Sequence, residues 1–597
     1  MDWKSARYEK SDTSQQSIGR RPSQSATPTL SERNVASWEL LRNHSNHLSS
    51  VSAYSQGVPS IPDDILDDIL EPSAFAAERD SWQSFDSLTR VENDHHPLDH
   101  DIPVGTDHGW SKTWAEDLCA DFSSLAPLHF IDRFSEGPPT KDHLSVLSKQ
   151  IWTKSRRSSE NADSQSQDDS VPPYADPDTA QFIDVFFNGC YGYSSFVTRQ
   201  YVEDTLAAIV ASPNAVDQCA YALVNGVLAI GCRNAIRKDS PRSNTIHAKS
   251  IYWPSRYFSG ALKYREYLTN GQPSFLKLQA LTALILYLRQ HRNVSLMRSV
   301  LSQAIHMIQE LISRVPKSPF LTAIDGNHQQ EIQRLFWLLY SIEKPFTLRF
   351  GGHSMIDDDL VVFPAPSKRR DSMIPAIDLR SGWEVVSYRY ARLCSVIVKT
   401  IYSHAALRMS RSETLAAIDR LSKMLEAWRM SIPVAYRPDC NLDLPACQNR
   451  SWDTCIQSDI FLKFAEASFA IHRWAVIQHN VVQDATATYS SSRDQCIELA
   501  KGVLHWTHYF RVDDHELDWH RIFLPLLSAA TIFIAICKQE VGKDCLPFLG
   551  MACGYFGRLS TSECAAPNLF EEISELYLMA HRKLNAGEAT DLAGQST

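Results

Sequence analysis

The stretch EIQRLFWLLYSIEKPFTLRFGGHSMIDDDL, residues 331–360, begins with an apolar helical pattern and ends with three consecutive aspartates. Apolar side chains recur every three or four residues and therefore share one helix face. They are Ile332, Leu335, Phe336, Leu339 and Ile342. Pro345 predicts that the helix ends there, with a kinked continuation as the alternative, because the proline ring obstructs the preceding turn. Gly351 and Gly352 then permit a turn into the acidic loop.

The three aspartates, Asp357 to Asp359, have two interpretations: a metal or catalytic site, or a structural loop. A metal site needs carboxylates that converge on one point, whereas neighbouring aspartates in a loop usually point into solvent. Ile356, Leu360 and Val361 supply apolar anchors that would dock the loop on the protein. The pattern therefore favours a structural loop.

Helical spacing also recurs outside this stretch, and clear alternating strands with hairpin turns between them are missing. One example has Leu278, Leu281, Ile285 and Leu288 on a common face. The fold class predicted for residues 181–585 is all-α. The apolar run Arg521–Cys537 is shorter than the roughly 20 residues that cross a bilayer, so we expect a buried helix and no membrane partner.

Composition divides the rest of the chain. Residues 1–60 are rich in serine and glutamine, and such a segment buries too little apolar surface to become ordered. Residues 61–90 alternate acidic and apolar side chains, 91–180 form a low-complexity region with a linker, and 586–597 form a tail. We therefore expect a long disordered region before the helical domain.

The whole-chain numbers indicate an intracellular protein with a substantial core. Of 597 residues, 44% are hydrophobic, and the formal net charge is −10, which does not support broad nucleic-acid binding. The 13 cysteines follow no regular framework, and the start of the chain lacks the apolar segment of a secretory signal.

The opening stretch resembles the fungal-specific transcription factor domain, the middle homology region of fungal binuclear zinc-cluster regulators. Members show an arginine, then Leu-Phe-Trp, a tyrosine, an Asp-Arg pair, a Gly-Arg-Pro turn and an Ile/Asp-rich loop ending in proline. The matching positions here are Arg334, Leu335, Phe336, Trp337, Tyr340, Glu343, Lys344, Gly351, Asp357, Asp359 and Pro364. Departures are Pro345 after the charge pair and Gly352-His353 in place of Arg-Pro. The resemblance extends over roughly 180 to 560.

This resemblance implies a large helical array and a non-enzymatic, pathway- or gene-cluster-specific regulator of transcription. It also implies a location in the nucleus, with the cytoplasm as a shared location, and partners such as a coactivator or a second regulator in a homo- or heterodimer. The region is expected to restrain or transmit activation. Bulky residues of 330–350 and 500–537 would line an effector pocket or, as the plainer alternative, fill the core.

Six zinc-binding cysteines with repeated C-x-x-C spacing are usual in the family, and they are missing here. The first cysteines are Cys119 and Cys190, and C-x-x-C occurs nowhere. We therefore assign no metal ligands, no catalytic residues and no cofactor to this chain. Promoter DNA would be reached through a partner, or through a zinc cluster encoded by an upstream exon.

The acidic stretch IPDDILDDILEP, residues 61–72, is open to three interpretations. It could be an activation segment that folds into a partner's groove, or a short helix packed on the domain. Its anchors would be Ile65, Leu66, Ile69, Leu70, Phe75, Trp82 and Phe85. The third alternative is an all-α magnesium-dependent enzyme similar to terpenoid synthases, with Asp63, Asp64 and Asp67 as metal ligands.

Two further patterns have a functional and a plain interpretation. His505, His508, His515 and His520 could suggest a metal site, but ordinary histidines on helix faces are favoured because no acidic third ligand is fixed by spacing. The basic clusters at 154–157 and 367–372 could be nuclear import signals, although solvated loops more often carry such runs.

Overall fold

The computed structural model describes residues 146, 147, 150, 174, 178–189, 193–239, 244–289, 293–314, 326–351, 353–361, 363, 366, 379–403, 406, 409–438, 452–477, 487–508, 510, 519–561 and 568–594. All of them belong to the second of two units of the chain, Ser60–Thr597. They form α-helices, a few 3-10 turns and loops, and no strand occurs among them. The predicted all-α class is confirmed.

The helices fall into two groups in chain order. The first comprises α1 (Asp178–Gly189), α2 (Arg199–Ala211), α3 (Gln218–Asp239), α4 (Asn244–Leu262), α5 (Arg265–Thr269), α6 (Phe275–Leu288), α7 (Val294–Arg314) and α8 (Gly326–Phe350). The second comprises α9 (Leu379–Ile401), α10 (Arg411–Met430), α11 (Trp452–Ile477), α12 (Ala487–Trp506), α13 (Trp519–Cys537), α14 (Leu546–Thr561) and α15 (Phe570–Gly594).

The first group encloses an apolar core, which we call the N-terminal core. Helix α3 packs against α1, α4 and α6, and it approaches two of them closely through glycine. A Cβ at Gly231 would collide with the Phe182 carbonyl oxygen on α1, and one at Gly226 would lie 2.6 Å from the Ala283 Cβ on α6. Side chains larger than hydrogen would therefore push these helices apart.

The second group encloses the C-terminal core, and α13 runs through its middle. Within the described residues, His520–Cys537 is long and apolar enough to cross a membrane, but 89% of this stretch is buried inside the protein. Its side chains pack with those of α11, α12 and α15. The apolar run predicted as a buried helix is thus a core helix.

Helix α8 contributes side chains to both cores, and it does not end at Pro345. The helix continues to Phe350, so the prediction of an end at Pro345 is wrong and the continuation is correct. Proline removes one N–H and with it the bond to the carbonyl four residues earlier. Burial of Phe346 in the N-terminal core and Leu348 in the C-terminal core outweighs that loss.

Candidate functional site

The aromatic residues of the opening stretch form one cluster at the contact between α8 and α9. The Trp337 ring lies 5.0 Å from Phe336, 5.3 Å from Tyr340 and 4.8 Å from Tyr388 of α9, measured between ring centroids. All four side chains are buried. Arg334, by contrast, is exposed. The aromatic part of the motif is therefore a packing seam between two helices.

The charge pair of the motif lies inside the protein. The side chains of Glu343 and Lys344 are fully buried, with Lys344 Nζ 3.6 Å from Glu343 Oε2. Lys344 also donates to Ser354 Oγ at 2.7 Å and to the Ile356 carbonyl at 2.5 Å. Glu343 accepts a 2.9 Å bond from the backbone N–H of Met355. The pair thus fastens the loop after α8 to the helix.

The turn between α8 and this loop depends on glycine. Gly351 has φ +68°, a left-handed conformation that costs glycine little. Its N–H donates to the Thr347 carbonyl at 2.9 Å, which closes the end of the helix. Arg298 of α7 donates to the Phe350 and Gly351 carbonyls at 3.1 and 3.3 Å, so the turn is also tied to the neighbouring helix.

The three consecutive aspartates differ sharply in environment. Asp357 and Asp359 are exposed, and Asp357 caps the 3-10 turn by accepting the Asp359 N–H at 3.1 Å. Asp358 is buried and accepts from Tyr340 Oη at 2.7 Å and from Ser395 Oγ at 2.5 Å. The expectation that all three point into solvent is wrong for Asp358, because partners from α8 and α9 surround its carboxylate.

Three cations reach the Asp358 carboxylate. They are Lys344 Nζ at 3.2 Å, Arg392 Nη1 at 3.1 Å and Lys399 Nζ at 3.1 Å. Burial acts to raise the pKa of Asp358, but attraction from Lys344 and Arg392 outweighs it and holds the pKa well below its usual range. We call Tyr340, Glu343, Lys344, Asp358 and Arg392 the ionic junction. It joins α8, the acidic loop and α9.

A second polar cluster lies where α8, α9, α11 and α13 meet. Glu466 accepts from Arg349 Nε at 2.5 Å and from Arg349 Nη2 at 2.9 Å. Tyr390 Oη donates to the same carboxylate at 2.8 Å, and His520 Nε2 lies 3.0 Å from it. Burial tends to raise the pKa of Glu466, yet Arg349 and His520 together lower it far below its ordinary value. We call these four residues the Glu466 cluster.

The histidines singled out in the sequence form no metal site within the described residues. Of the described ones, His505 is half-buried, His508 is exposed, and His520 belongs to the Glu466 cluster; His515 lies outside the described residues. No group of three metal-ligating side chains occurs in the described part of the chain. Sequence reasoning missed His472 on α11, whose ring contacts Ser422 Oγ at 3.2 Å and Ser492 Oγ at 3.0 Å.

His472 should make stability depend on pH. Burial lowers its pKa to about 4, whereas the unfolded chain has a value of about 6.5. The unfolded state binds the proton more readily, so this contribution is present above pH 6.5 and is lost as pH falls towards 4. Between about pH 7 and pH 5 we expect a loss of about 2 kcal/mol that His472→Gln abolishes. Urea unfolding at several pH values measures this loss, and substitution of the exposed His306 by glutamine is the control. If the unfolding free energy of His472→Gln depends on pH as steeply as that of the wild type, His472 is not the group responsible.

Several sequence predictions fall on residues outside the described set. They are Pro364 of the motif, the basic clusters at 154–157 and 367–372, the linker before residue 174, and the whole of 61–90 with both its activation anchors and its aspartates. The structure neither supports nor opposes these predictions. The motif residues that it does describe, from Arg334 to Asp359, occupy one continuous region around α8.

Known proteins similar to this chain are transcription factors. Residues 183–430 match the fungal specific transcription factor domain. The fumonisin cluster-specific transcription factor FUM21 of Gibberella moniliformis is 25% identical over 64% of this chain and 60% of its own length. An ABC-transporter-regulating transcription factor of Aspergillus fumigatus is 24% identical over 53% of this chain and 36% of its own length. The terrein cluster-specific transcription factor terR of Aspergillus terreus is 22% identical over 41% of this chain and 35% of its own length. No solved structure matches the chain significantly.

These comparisons confirm the resemblance seen in the sequence and favour a regulator over an enzyme similar to terpenoid synthases. The match spans less than two thirds of the length of each relative named here. Within the matched segment, three of the five residues of the ionic junction, Tyr340, Glu343 and Lys344, are motif residues that carried the resemblance. Over residues 183–430 the chain is therefore similar to fungal transcription factors that carry this domain.

Proposed function

We propose that this chain regulates transcription of a specific gene cluster or pathway, and that its helical region controls an activation function. The observation that carries the proposal is the match of residues 183–430 to the fungal specific transcription factor domain. Relatives whose names specify a gene cluster or a transporter support the pathway-specific role. The site of action is the nucleus, and the activity requires no catalytic residue of this chain.

The ionic junction provides a physical basis for control. Buried ion pairs are strong only when their geometry is kept, because each charge has lost its hydration. A shift of α9 relative to α8 would move Arg392 and Lys399 away from Asp358 and weaken two of the ion pairs of this carboxylate. The helical region therefore favours one defined arrangement, and an arrangement of this kind can restrain or transmit activation.

The proposed partners follow from the same function. The apolar anchors of residues 61–90 would fold into a groove of a coactivator, with the aspartates keeping the segment soluble before it binds. Promoter DNA is reached through a partner, a second copy or a related regulator, or through a zinc cluster outside these residues. No zinc or other cofactor is assigned to the residues of this chain.

A reporter assay tests both the regulator and the activation segment. The full chain is fused to an unrelated DNA-binding module, and we expect reporter output to differ from that of the module alone. Changing Ile65, Leu66, Ile69 and Leu70 to alanine should return the output to the level of the module, because these side chains provide the apolar contacts. The matched control is a four-alanine change at Ser14, Gln15, Gln16 and Ser17, which should have no effect.

The outcomes of this assay separate the two parts of the proposal. Output equal to that of the module alone for the unchanged fusion contradicts a regulatory function. Output that survives the change in the apolar anchors contradicts the activation segment, and leaves the regulatory function to other parts of the chain.

A further inference from the structure

A cavity lies beside Pro345, where α6, α7, α8, α9, α11 and α13 come together. Its volume is ≈ 50 Å³, enough for about four water molecules at the roughly 10–15 Å³ that each one needs. An organic molecule of about four non-hydrogen atoms fits into the same space. Much of the wall is apolar, with Met297, Phe346 and Phe350 among the lining side chains. The cavity therefore offers an alkyl group a surface against which it can pack.

The charged side chains of the wall, Arg289, Arg349 and Lys463, are already engaged. Lys463 Nζ lies 2.7 Å from Asp459. Arg349 Nε lies 2.5 Å from Glu466. Burial acts to raise the pKa of Asp459, but attraction from Lys463 and Arg289 outweighs it and lowers that pKa. An anion in the cavity would have to compete with these carboxylates for the same cations, so the wall favours a neutral ligand.

Two polar groups of the wall set the hydrogen bonds that such a ligand should make. Ser387 of α9 is 7% exposed, and its Oγ has no hydrogen-bond partner within the described protein. Buried hydroxyls are rarely left in that condition. Ser341 also lines the cavity, and its carbonyl receives no bond from residue 345 because proline has no N–H. The ligand should therefore donate to a carbonyl and accept from a hydroxyl, and a single hydroxyl group does both.

We propose that this cavity binds a small neutral alcohol of about the size of 2-propanol. The alcohol oxygen would accept a hydrogen bond from Ser387 Oγ, and its hydrogen would be donated to the Ser341 carbonyl. The alkyl part would pack against Met297 and Phe346. Water would satisfy the same polar groups, but it would gain nothing from the apolar part of the wall.

The position of the cavity links this site to regulation, and that part of the inference rests on the proposed function. Met297 and Phe346 belong to the N-terminal core, whereas Tyr390, which also lines the cavity, belongs to the C-terminal core. A bound alcohol would therefore contact both cores next to the Glu466 cluster. It would favour whichever arrangement of α8 and α9 keeps these walls at the right separation.

Binding is tested with 2-propanol, acetone and acetate, which share one branched arrangement of four non-hydrogen atoms. Each is added to the purified full chain with isotope-labelled methionine methyl groups, and NMR follows the Met297 signal, which Met297→Leu identifies. We expect a saturable shift with 2-propanol. Acetone cannot donate a hydrogen bond, and acetate is charged as well, so both should bind about tenfold more weakly. Met424 lies in the C-terminal core away from the cavity, so its signal should not shift.

Two substitutions test the two hydrogen bonds separately. Ser387→Ala removes the hydroxyl and should weaken 2-propanol binding about tenfold. Pro345→Ala supplies a backbone N–H that can donate to the Ser341 carbonyl, as in an uninterrupted helix. The carbonyl is then occupied, so the preference for 2-propanol over acetone should fall towards one. Circular dichroism confirms that each variant is folded.

The matched control is Ser528→Ala on α13. Its hydroxyl is also buried and without a partner in the described protein, but it does not line the cavity, so binding should be unchanged. Acetone or acetate binding as tightly as 2-propanol would overturn the alcohol class. Absence of a saturable shift at Met297, or binding unaffected by both Ser387→Ala and Pro345→Ala, would overturn the site. None of these results depends on the reporter assay, so binding and the regulatory function can fail separately.

Discussion

Replacing Asp358 with asparagine is expected to lower the free energy of unfolding by about 3–5 kcal/mol. Asparagine keeps the shape but carries no charge, and its single oxygen can accept from only one of the two hydroxyls, Tyr340 and Ser395, that donate to different oxygens of Asp358. Arg392, whose side chain is 7% exposed, then loses the carboxylate 3.1 Å away. Removing one partner of a buried pair leaves the other ion desolvated without compensation, and this is why the expected effect is large. Urea unfolding followed by circular dichroism measures it.

The neighbouring aspartate supplies the control for this prediction. Asp359 carries the same group in the same loop but is exposed, so Asp359→Asn should change stability by less than about 0.5 kcal/mol. Equal effects of the two substitutions would mean that the Asp358 carboxylate does not hold the ionic junction together.

Acidification should remove the difference between wild type and Asp358→Asn. The folded-state pKa of Asp358 lies below its ordinary value, whereas the unfolded chain has a value of about 3.9. Its contribution is therefore complete above that value and is lost as pH falls through it towards the folded pKa. Unfolding free energies of the two proteins should converge between about pH 5 and pH 2. A difference that stays constant over this range contradicts an ionic origin.

The sequence predicted the parts of this fold that depend on local patterns. Helical periodicity depends on residues three and four positions apart, and it located α6 and α8 without any knowledge of their neighbours. Periodicity could not show whether the helix ends at Pro345 or continues past it. Whether a helix passes a proline depends on packing against other elements, here on Phe346 and Leu348 in two different cores.

For the same reason, the sequence predicted only part of the candidate site. Resemblance to a family identified the Glu343–Lys344 pair and the loop, but not which aspartate is buried. Asp358 is distinguished from Asp357 and Asp359 by Arg392 and Ser395, which come from a helix further along the chain. A run of three identical residues contains no local signal that marks the middle one. The predicted motif set therefore names the two exposed aspartates and omits the one that carries the junction.

No sequence pattern indicated the Glu466 cluster. Glu466 lies in FLKFAEASFA, residues 461–470, where a single glutamate within a helix is ordinarily a surface residue. Its partner Arg349 is 117 residues away. Both α8 and α11 pack against α9, and this arrangement brings the two residues together, so neither spacing nor composition could have suggested the pair.

Glu466→Gln is the second substitution for which a large effect is expected, a loss of about 3–5 kcal/mol in the free energy of unfolding. Glutamine preserves the side-chain length and one carbonyl oxygen, but it removes the charge that compensates the buried Arg349 guanidinium. It also removes one of the two acceptor oxygens that Arg349 and Tyr390 share. Chemical denaturation at about pH 7, where the carboxylate is ionised, measures the loss.

The chain offers a control with the same geometry at the surface. Arg429 donates to both oxygens of Glu426 at 2.7 and 2.5 Å, yet the Glu426 side chain is 52% exposed. Because the Glu426 side chain is exposed, water can take its place beside the Arg429 guanidinium, so Glu426→Gln should cost no more than about 1 kcal/mol. If the two substitutions cost the same, the number of hydrogen bonds rather than burial decides the energy. If Glu466→Gln costs several times more, desolvation decides it, and the Arg349 guanidinium needs a carboxylate at this position.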